Sequence, residues 1–128
     1  MAHVLAYNIK DEAKRQKIRL AAFKLGINVR RVQPEEQGHP IGYLLGLEGF
    51  KPSDTPVEPF TVEMLLMAGL TQEQFSGFLD ALRRSRTPVA LKAIATEHNV
   101  GWSSAALCRE LQKEHEAMQR TGKSVHHK

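Results

Sequence analysis

One cysteine, Cys108, stands in a chain of 128 residues. A lone thiol closes no internal disulfide and cannot supply a cysteine-rich zinc site. Aromatic residues make up only 6% of the chain and are not interleaved with its basic residues. A platform for single-stranded nucleic acid wants both features, so nucleic acid is disfavoured as a partner. Neither Gly-x-Gly-x-x-Gly nor Gly-x-x-x-x-Gly-Lys-Ser/Thr occurs. Dinucleotide and P-loop readings therefore lack their fingerprints, and no cofactor is expected. The longest apolar run, Met64 to Leu70, includes a glycine and is too short to span a bilayer, so no membrane partner is expected. The opening residues place no basic segment before their apolar run, which argues against a signal peptide. Together these absences predict a cytoplasmic protein.

What is present is ordinary globular material: 41% apolar and 25% charged residues, enough for one hydrophobic core. No repeat-length period is visible. The net charge of +4 conceals a basic–acidic–basic order. Residues 1–33 carry eight Lys/Arg against two Asp/Glu, residues 34–80 one against eight, and residues 81–128 nine against four. Such a chain either compensates internally on folding or exposes a basic face.

The local signals alternate. Residues 3–8 read as a buried strand. Asp11 caps a helix whose face is Ile18, Ala21, Ala22 and Leu25, with Gly26 as its left-handed stop. Residues 27–32 alternate apolar with polar, as a half-exposed edge strand does. Pro40 starts a short helix, Ile41 to Leu45, closed by Gly46. Residues 47–59, with three prolines, read as a mobile loop. Residues 60–68 read as a central strand buried on both faces. Thr71 and Gln74 form a capping box, Leu70 and Phe75 a hydrophobic staple, and Phe75, Phe78, Leu79 and Leu82 the apolar face of the next helix. Residues 89–95 read as a fourth buried strand. Ser103 caps a last helix with the stripe Leu107, Cys108, Leu111, His115 and Met118, ending at Gly122. A basic tail, 123–128, is expected to fray.

This order predicts a single α/β domain over residues 1–122, with a four-stranded, mainly parallel sheet and helices packed on it. The alternative is a ferredoxin-like α+β fold with strands two and three paired antiparallel. The connection 33–59 is long for a hairpin, which favours the parallel sheet. In a parallel sheet the ends of strands one, three and four lie together. Tyr7, Asn8, Gly69 and residues 96–102 would then line one crevice.

Lys92, Thr96, His98, Asn99, Trp102 and Ser103, with Tyr7 and Asn8, are the candidate ligand-binding residues. Lys92 is either an anion contact near the crevice or a snorkelling lysine paired with Glu110 or Glu114. Thr96 and Asn99 suit either a binding rim or plain turn chemistry. The helix opened by Ser103 offers backbone N–H groups to an anion. Trp102 is either a pocket wall or a helix anchor. Cys108 reads as a small core residue; a Cys–His nucleophile with His98 or His115 lacks other support, and no catalytic residue is assigned. His98 and His115 fit no zinc spacing, and no metal site is expected. The five basic residues Lys14, Arg15, Lys17, Arg19 and Lys24 lie at scattered angles around the first helix, as on a solvated face.

Leu91-Lys92-Ala93, Thr96, Asn99 and Trp102, followed by Glu110-Leu111 and Glu114-His115, resemble the small bacterial proteins grouped as domain of unknown function 3783. Val4-Leu5, Tyr7-Asn8, Ile41-Gly42-x-Leu44-Leu45-Gly46 and Met64-Leu65-Leu66-Met67 extend the resemblance over most of residues 3–116. It implies that Lys92, Thr96, Asn99 and Trp102 matter as a set, and it implies no activity. Three functions are carried forward. The first is a ligand-binding or regulatory domain for a small anionic or planar molecule near residues 96–103. The second is a protein-interaction module or homodimer using strand 27–32 or loop 47–59. The third is an enzyme with Lys92 or His98 as acid/base.

Overall fold

Two strands of nearly unbroken apolar sequence form the centre of the molecule. The computed structural model describes residues 2–54 and 56–121. Strand β1 is His3–Tyr7 and strand β3 is Met64–Ala68, with β2 at Asn28–Val32 and β4 at Leu91–Ile94. They form one sheet in the order β2-β1-β3-β4. All five residues of β3 are buried, as expected of a central strand. The polar alternation of β2 places it at an edge. β1 pairs parallel with β2, and β3 parallel with β4; the central pair, β1 with β3, is antiparallel.

The sheet is α/β and mainly parallel by pairings. It is not ferredoxin-like, because β2 pairs with β1 and does not touch β3. The antiparallel centre does correct one expectation: β1 points opposite to β3 and β4, so the ends of the three strands do not cluster. The long segment between β2 and β3 allows this reversal, because it carries the chain back without a crossover helix of fixed hand. β4 departs from its reading as a buried strand as well. It is a short edge strand in which Lys92 and Ile94 are exposed.

Strand alternation sorts the side chains into two cores. Val4, Ala6, Leu65 and Met67 face one side, where helix α1 (Glu12–Lys24) contributes Ile18, Ala21 and Ala22. Helix α3 (Gln72–Arg84) contributes Phe78 and Leu82 to that side. Leu5, Tyr7, Met64 and Leu66 face the other, covered by the short helix α2 (Ile41–Leu44) and by Leu107 and Cys108 of α4 (Ser104–Thr121). The chain thus makes three layers, helices–sheet–helices. No described helix is long and apolar enough to cross a membrane.

The predicted caps hold. Asp11 accepts from the Lys14 amide, Thr71 and Gln74 close a reciprocal capping box, and Gly26 and Gly46 take left-handed conformations with φ of 74° and 77°. Each half of the sheet is a complete strand–helix–strand unit, and the two units match feature for feature. Asn8 (φ 62°) follows β1 as Gly69 (φ 74°) follows β3. Gly26 (φ 74°) ends α1 as Arg86 (φ 56°) ends α3. The closing bonds match too: Gly26 N to Phe23 O and Ile27 N to Ala22 O, against Arg86 N to Arg83 O and Thr87 N to Leu82 O. A local dyad in the fold relates sequences that carry no visible repeat.

Among the described residues of 47–59 there is no helix or strand, but Phe50 and Ser53 are anchored. Phe50 fills the space above Gly42, where an added Cβ would come within 2.5 Å of the ring. The Ser53 amide donates to His39 Nδ1. The predicted helix end at Gly122 and the tail 123–128, with His126 and His127, lie outside the described residues, as do the side chains of His115 and Met118.

Candidate functional site

The anticipated crevice does not assemble. Because β1 runs against β3 and β4, Tyr7 and Asn8 leave the sheet at the end opposite to Gly69. Gly69 does meet the end of β4, where Leu70, Thr71, Ile94 and Ala95 line a cavity of about 330 Å³.

Thr96 and Asn99 spend their polar atoms on each other. Asn99 Oδ1 accepts from the Thr96 amide at 2.9 Å, Thr96 Oγ1 accepts from the Asn99 amide at 3.1 Å, and Asn99 Nδ2 donates to Ile94 O at 3.1 Å. That is a reciprocal side-chain turn closing β4. The backbone that follows anchors α2, since Val100 O and Trp102 O accept from the amides of Gly42 and Ile41 at 2.8 Å each. The three amides of α4 that follow Ser104 are also spent. Ala105 N donates to Gln37 O, Ala106 N to Ser103 Oγ and Leu107 N to Ser103 O. Ser103 is therefore the helix cap the sequence predicts, accepting from the Ala106 amide through Oγ and from the Leu107 amide through its carbonyl. Trp102 is half-buried against the second core and meets the exposed His98 ring edge-on, centroids 5.3 Å apart. Lys92 pairs with neither Glu110 nor Glu114; its Nζ donates to Val89 O at 3.3 Å.

Tyr7 and Asn8 belong to a separate polar cluster. Tyr7 is fully buried, its hydroxyl 2.7 Å from Ser104 Oγ and its ring 5.5 Å from that of Phe60. Burial pushes its phenol well above the ordinary range, against the lowering effect of the Ser104 bond. Asn8 Nδ2 donates to both Phe60 O and Val62 O, at 3.0 and 2.9 Å. Gln37, also fully buried, accepts from the Phe60 amide through Oε1, while its Nε2 has no hydrogen-bond partner among the described residues. Sequence reasoning missed Gln37 because a glutamine between two prolines and a glycine reads as surface turn. The cluster ties the end of β1, the start of α4 and residues 60–62 together.

Cys108 is buried in the second core, and desolvation pushes its thiol up. Among the described residues no group of three His, Cys, Asp or Glu is placed to hold a metal ion.

The site that the structure does assemble lies on the outer surface of α1 and α3. These helices are antiparallel, because the strands they follow are, and they pack on the same face of the sheet. Between them runs an open furrow of about 430 Å³. Its apolar lining is Leu20, Ala21 and Leu25 from the first unit with Gly77 and Ala81 from the second. Gly77 lets the units approach closely, since a Cβ there would sit 3.2 Å from a Leu25 methyl. Lys17, Lys24 and Arg84 form the charged part of the wall. Leu20 is 56% exposed, and Phe23, one turn along the same helix, 79%. The basic residues of α1 are scattered around it, with Arg15 and Arg19 on another side and Lys14 on Glu63, yet two of them converge on the furrow. Lys17 and Lys24 are two turns apart and share one face, with Leu20 between them. That spacing, and the position of Phe23 off the Ile18–Leu25 stripe, is the signal the sequence offered.

Comparison with known families adds a partial match. A model described as Domain of unknown function (DUF3783) matches residues 63–118, which run from β3 into α4. The resemblance is therefore upheld for the second unit, and the N-terminal residues thought to share it lie outside the matched stretch. No curated protein matches the chain.

Proposed function

We propose that the chain is a cytosolic protein-interaction module whose docking surface is the furrow between α1 and α3. The observation that carries this reading is the pair of exposed apolar side chains Leu20 and Phe23, standing beside an apolar trough. Single exposed apolar residues are common, but two on one helix turn, one of them lining an apolar furrow, make the kind of patch that proteins use for partners. The surface differs from the edge strand and the loop that sequence alone suggested. On edge strand β2 the Arg30 side chain turns back onto Leu44 O and Glu36 Oε2, at 2.7 Å each. Support for a small-molecule site near residues 96–103 is weaker, since the polar atoms of Thr96 and Asn99 are satisfied within the chain. An acid/base role for Lys92 or His98 has no nucleophile or orienting group beside it.

The test is photo-crosslinking in the native cell extract with a photoreactive residue at position 20 or 23, and at position 97 as a control remote from α1. The reading requires an adduct with another protein at 20 and 23, absent at 97 and lost when Leu25 and Ala81 are replaced by Asp. Identical adduct patterns at all three positions would overturn it, as would an adduct of twice the chain's own mass.

A further inference from the structure

Resting on that docking surface, we propose that its occupant is an amphipathic helix of another protein with an acidic rim. The furrow's shape selects a helix. It is framed by two antiparallel helices of 13 residues each, about 20 Å long at 1.5 Å per residue. The trough itself is lined over residues 17–25 and 77–85, about 13 Å of helix; with a floor of Gly77, Ala21 and Ala81 it takes about two turns of a helix, read through apolar side chains at i, i+3, i+4 and i+7. Leu20, on the lip of the furrow, supplies a further apolar contact, and Phe23 stands exposed one turn along α1.

Charge selects the sign. Lys17 and Lys24 have no carboxylate in ion-pair range among the described residues, and Lys17 Nζ reaches only Ser85 O, at 3.3 Å. Arg83 and Arg84 share the single carboxylate of Asp80, so that corner keeps a net positive charge. Just past Ser85, Arg86 has no carboxylate in ion-pair range among the described residues either; with Arg83 and Lys92 it lines a separate hollow on the far side of α3. An acidic rim on the incoming helix would meet Lys17, Lys24 and Arg84, the cations of the furrow wall. A second copy of this chain is a poor occupant. In a twofold dimer the same patch faces itself, and Lys17, Lys24 and Arg84 would oppose their own copies. A polynucleotide would satisfy the cations but leave the apolar floor and Phe23 without purpose.

The experiment is a fluorescence-anisotropy titration of the full chain with four labelled probes. One is a 20-residue peptide with Leu and Phe at i, i+3, i+4 and i+7 and Glu elsewhere, and one is its twin with Lys for Glu. The others are a scrambled Glu peptide of the same composition and a single-stranded 20-mer oligonucleotide. The acidic amphipathic peptide is expected to bind at least about tenfold tighter than the other three. Lys17→Glu, Lys24→Glu and Arg84→Glu together should reverse its preference toward the Lys twin; all three side chains lie on the surface, and circular dichroism checks that the variant folds. Equal binding of the scrambled peptide, preference for the oligonucleotide, or no binding by the acidic peptide would each overturn the proposal. If position-specific crosslinks still form at residues 20 and 23, the docking surface stands and only the chemistry of its occupant is wrong.

Discussion

Leu5 of β1 and Leu66 of β3 are antiparallel partners at the middle of the sheet, and each is the other's counterpart in the two matching units. The pairs His3–Ala68 and Tyr7–Met64 flank them symmetrically. The local dyad therefore passes between these two leucines. It sets α1 against α3 on one face and creates the furrow between them.

The dyad exposes a mismatch at the helix ends. Gly26 and Arg86 occupy equivalent left-handed positions, but only one is glycine. A left-handed conformation costs a side-chain-bearing residue about 1–2 kcal/mol, offset in part by the greater entropy glycine loses on folding. Arg86→Gly should stabilise the fold by about 0.5–1 kcal/mol. Gly26→Ala should destabilise it by a similar or larger amount, although the nearest atom to its new Cβ is 4.0 Å away. Urea unfolding of both variants checks this. A stabilised Arg86→Gly protein that binds the acidic peptide less well would show what the arginine is kept for.

Asn8 combines a left-handed backbone with two side-chain bonds to the strand entering β3. Asn8→Ala loses both bonds and keeps the strain, and should cost about 2–3 kcal/mol. Asn8→Gly loses the bonds but relieves the strain, so its loss should be smaller. Hydrogen exchange at residues 60–62 should speed up in both. Equal losses would show that the backbone conformation contributes nothing.

Asn99 and Lys92 should part company. Asn99 is almost fully buried with all its polar functions paired, so Asn99→Ala should destabilise by about 1–3 kcal/mol. Lys92 is exposed with one long bond to a carbonyl, and Lys92→Ala should change stability by less than about 0.5 kcal/mol. Thermal melts of the two variants decide between a structural set and a binding set.

Alkaline pH should weaken the fold. Burial holds the Cys108 thiol and the Tyr7 phenol in their protonated forms beyond the pH at which the unfolded chain gives those protons up. For such groups the native state binds more protons than the unfolded state, so stability is whole below the unfolded pKa and falls as pH rises toward the folded one. The urea midpoint should decline from about pH 8.5, where an unfolded thiol ionises, and more steeply above about pH 10, where an unfolded phenol does. Cys108→Ala should flatten the first part of the decline and Tyr7→Phe the second, whatever each does to the midpoint at neutral pH.

Much of this architecture is written locally. Asp11, the Thr71–Gln74 box, Gly26 and Ser103 mark element ends with chemistry that acts over a few residues, and all four act as read; Pro40 also opens α2, but as the extended residue before the helix and not as its first helical position. The burial of β3 is equally plain from its composition. Strand direction is another matter. Nothing within β1 or β3 says which way it points beside its neighbour. The outcome depends on the path of residues 33–63, whose anchors, such as Gln37 on the Phe60 amide and Phe50 over Gly42, join positions far apart in the chain. The crevice failed on that one point. Asn99 looked like a binding residue because turn-forming and ligand-binding asparagines share their chemistry. The furrow stayed hidden because it needs Leu20 and Gly77 from different units brought face to face.

The seam between β1 and β3 carries a final implication. A polypeptide holding only the part from β3 onward would bare one whole flank of that strand, with its amide and carbonyl groups unmated. Antiparallel mating centred on Leu66 is self-complementary, so the nearest remedy is a twin of the same fragment, joined through a true rather than an approximate symmetry axis. In the intact chain β1 already occupies that flank.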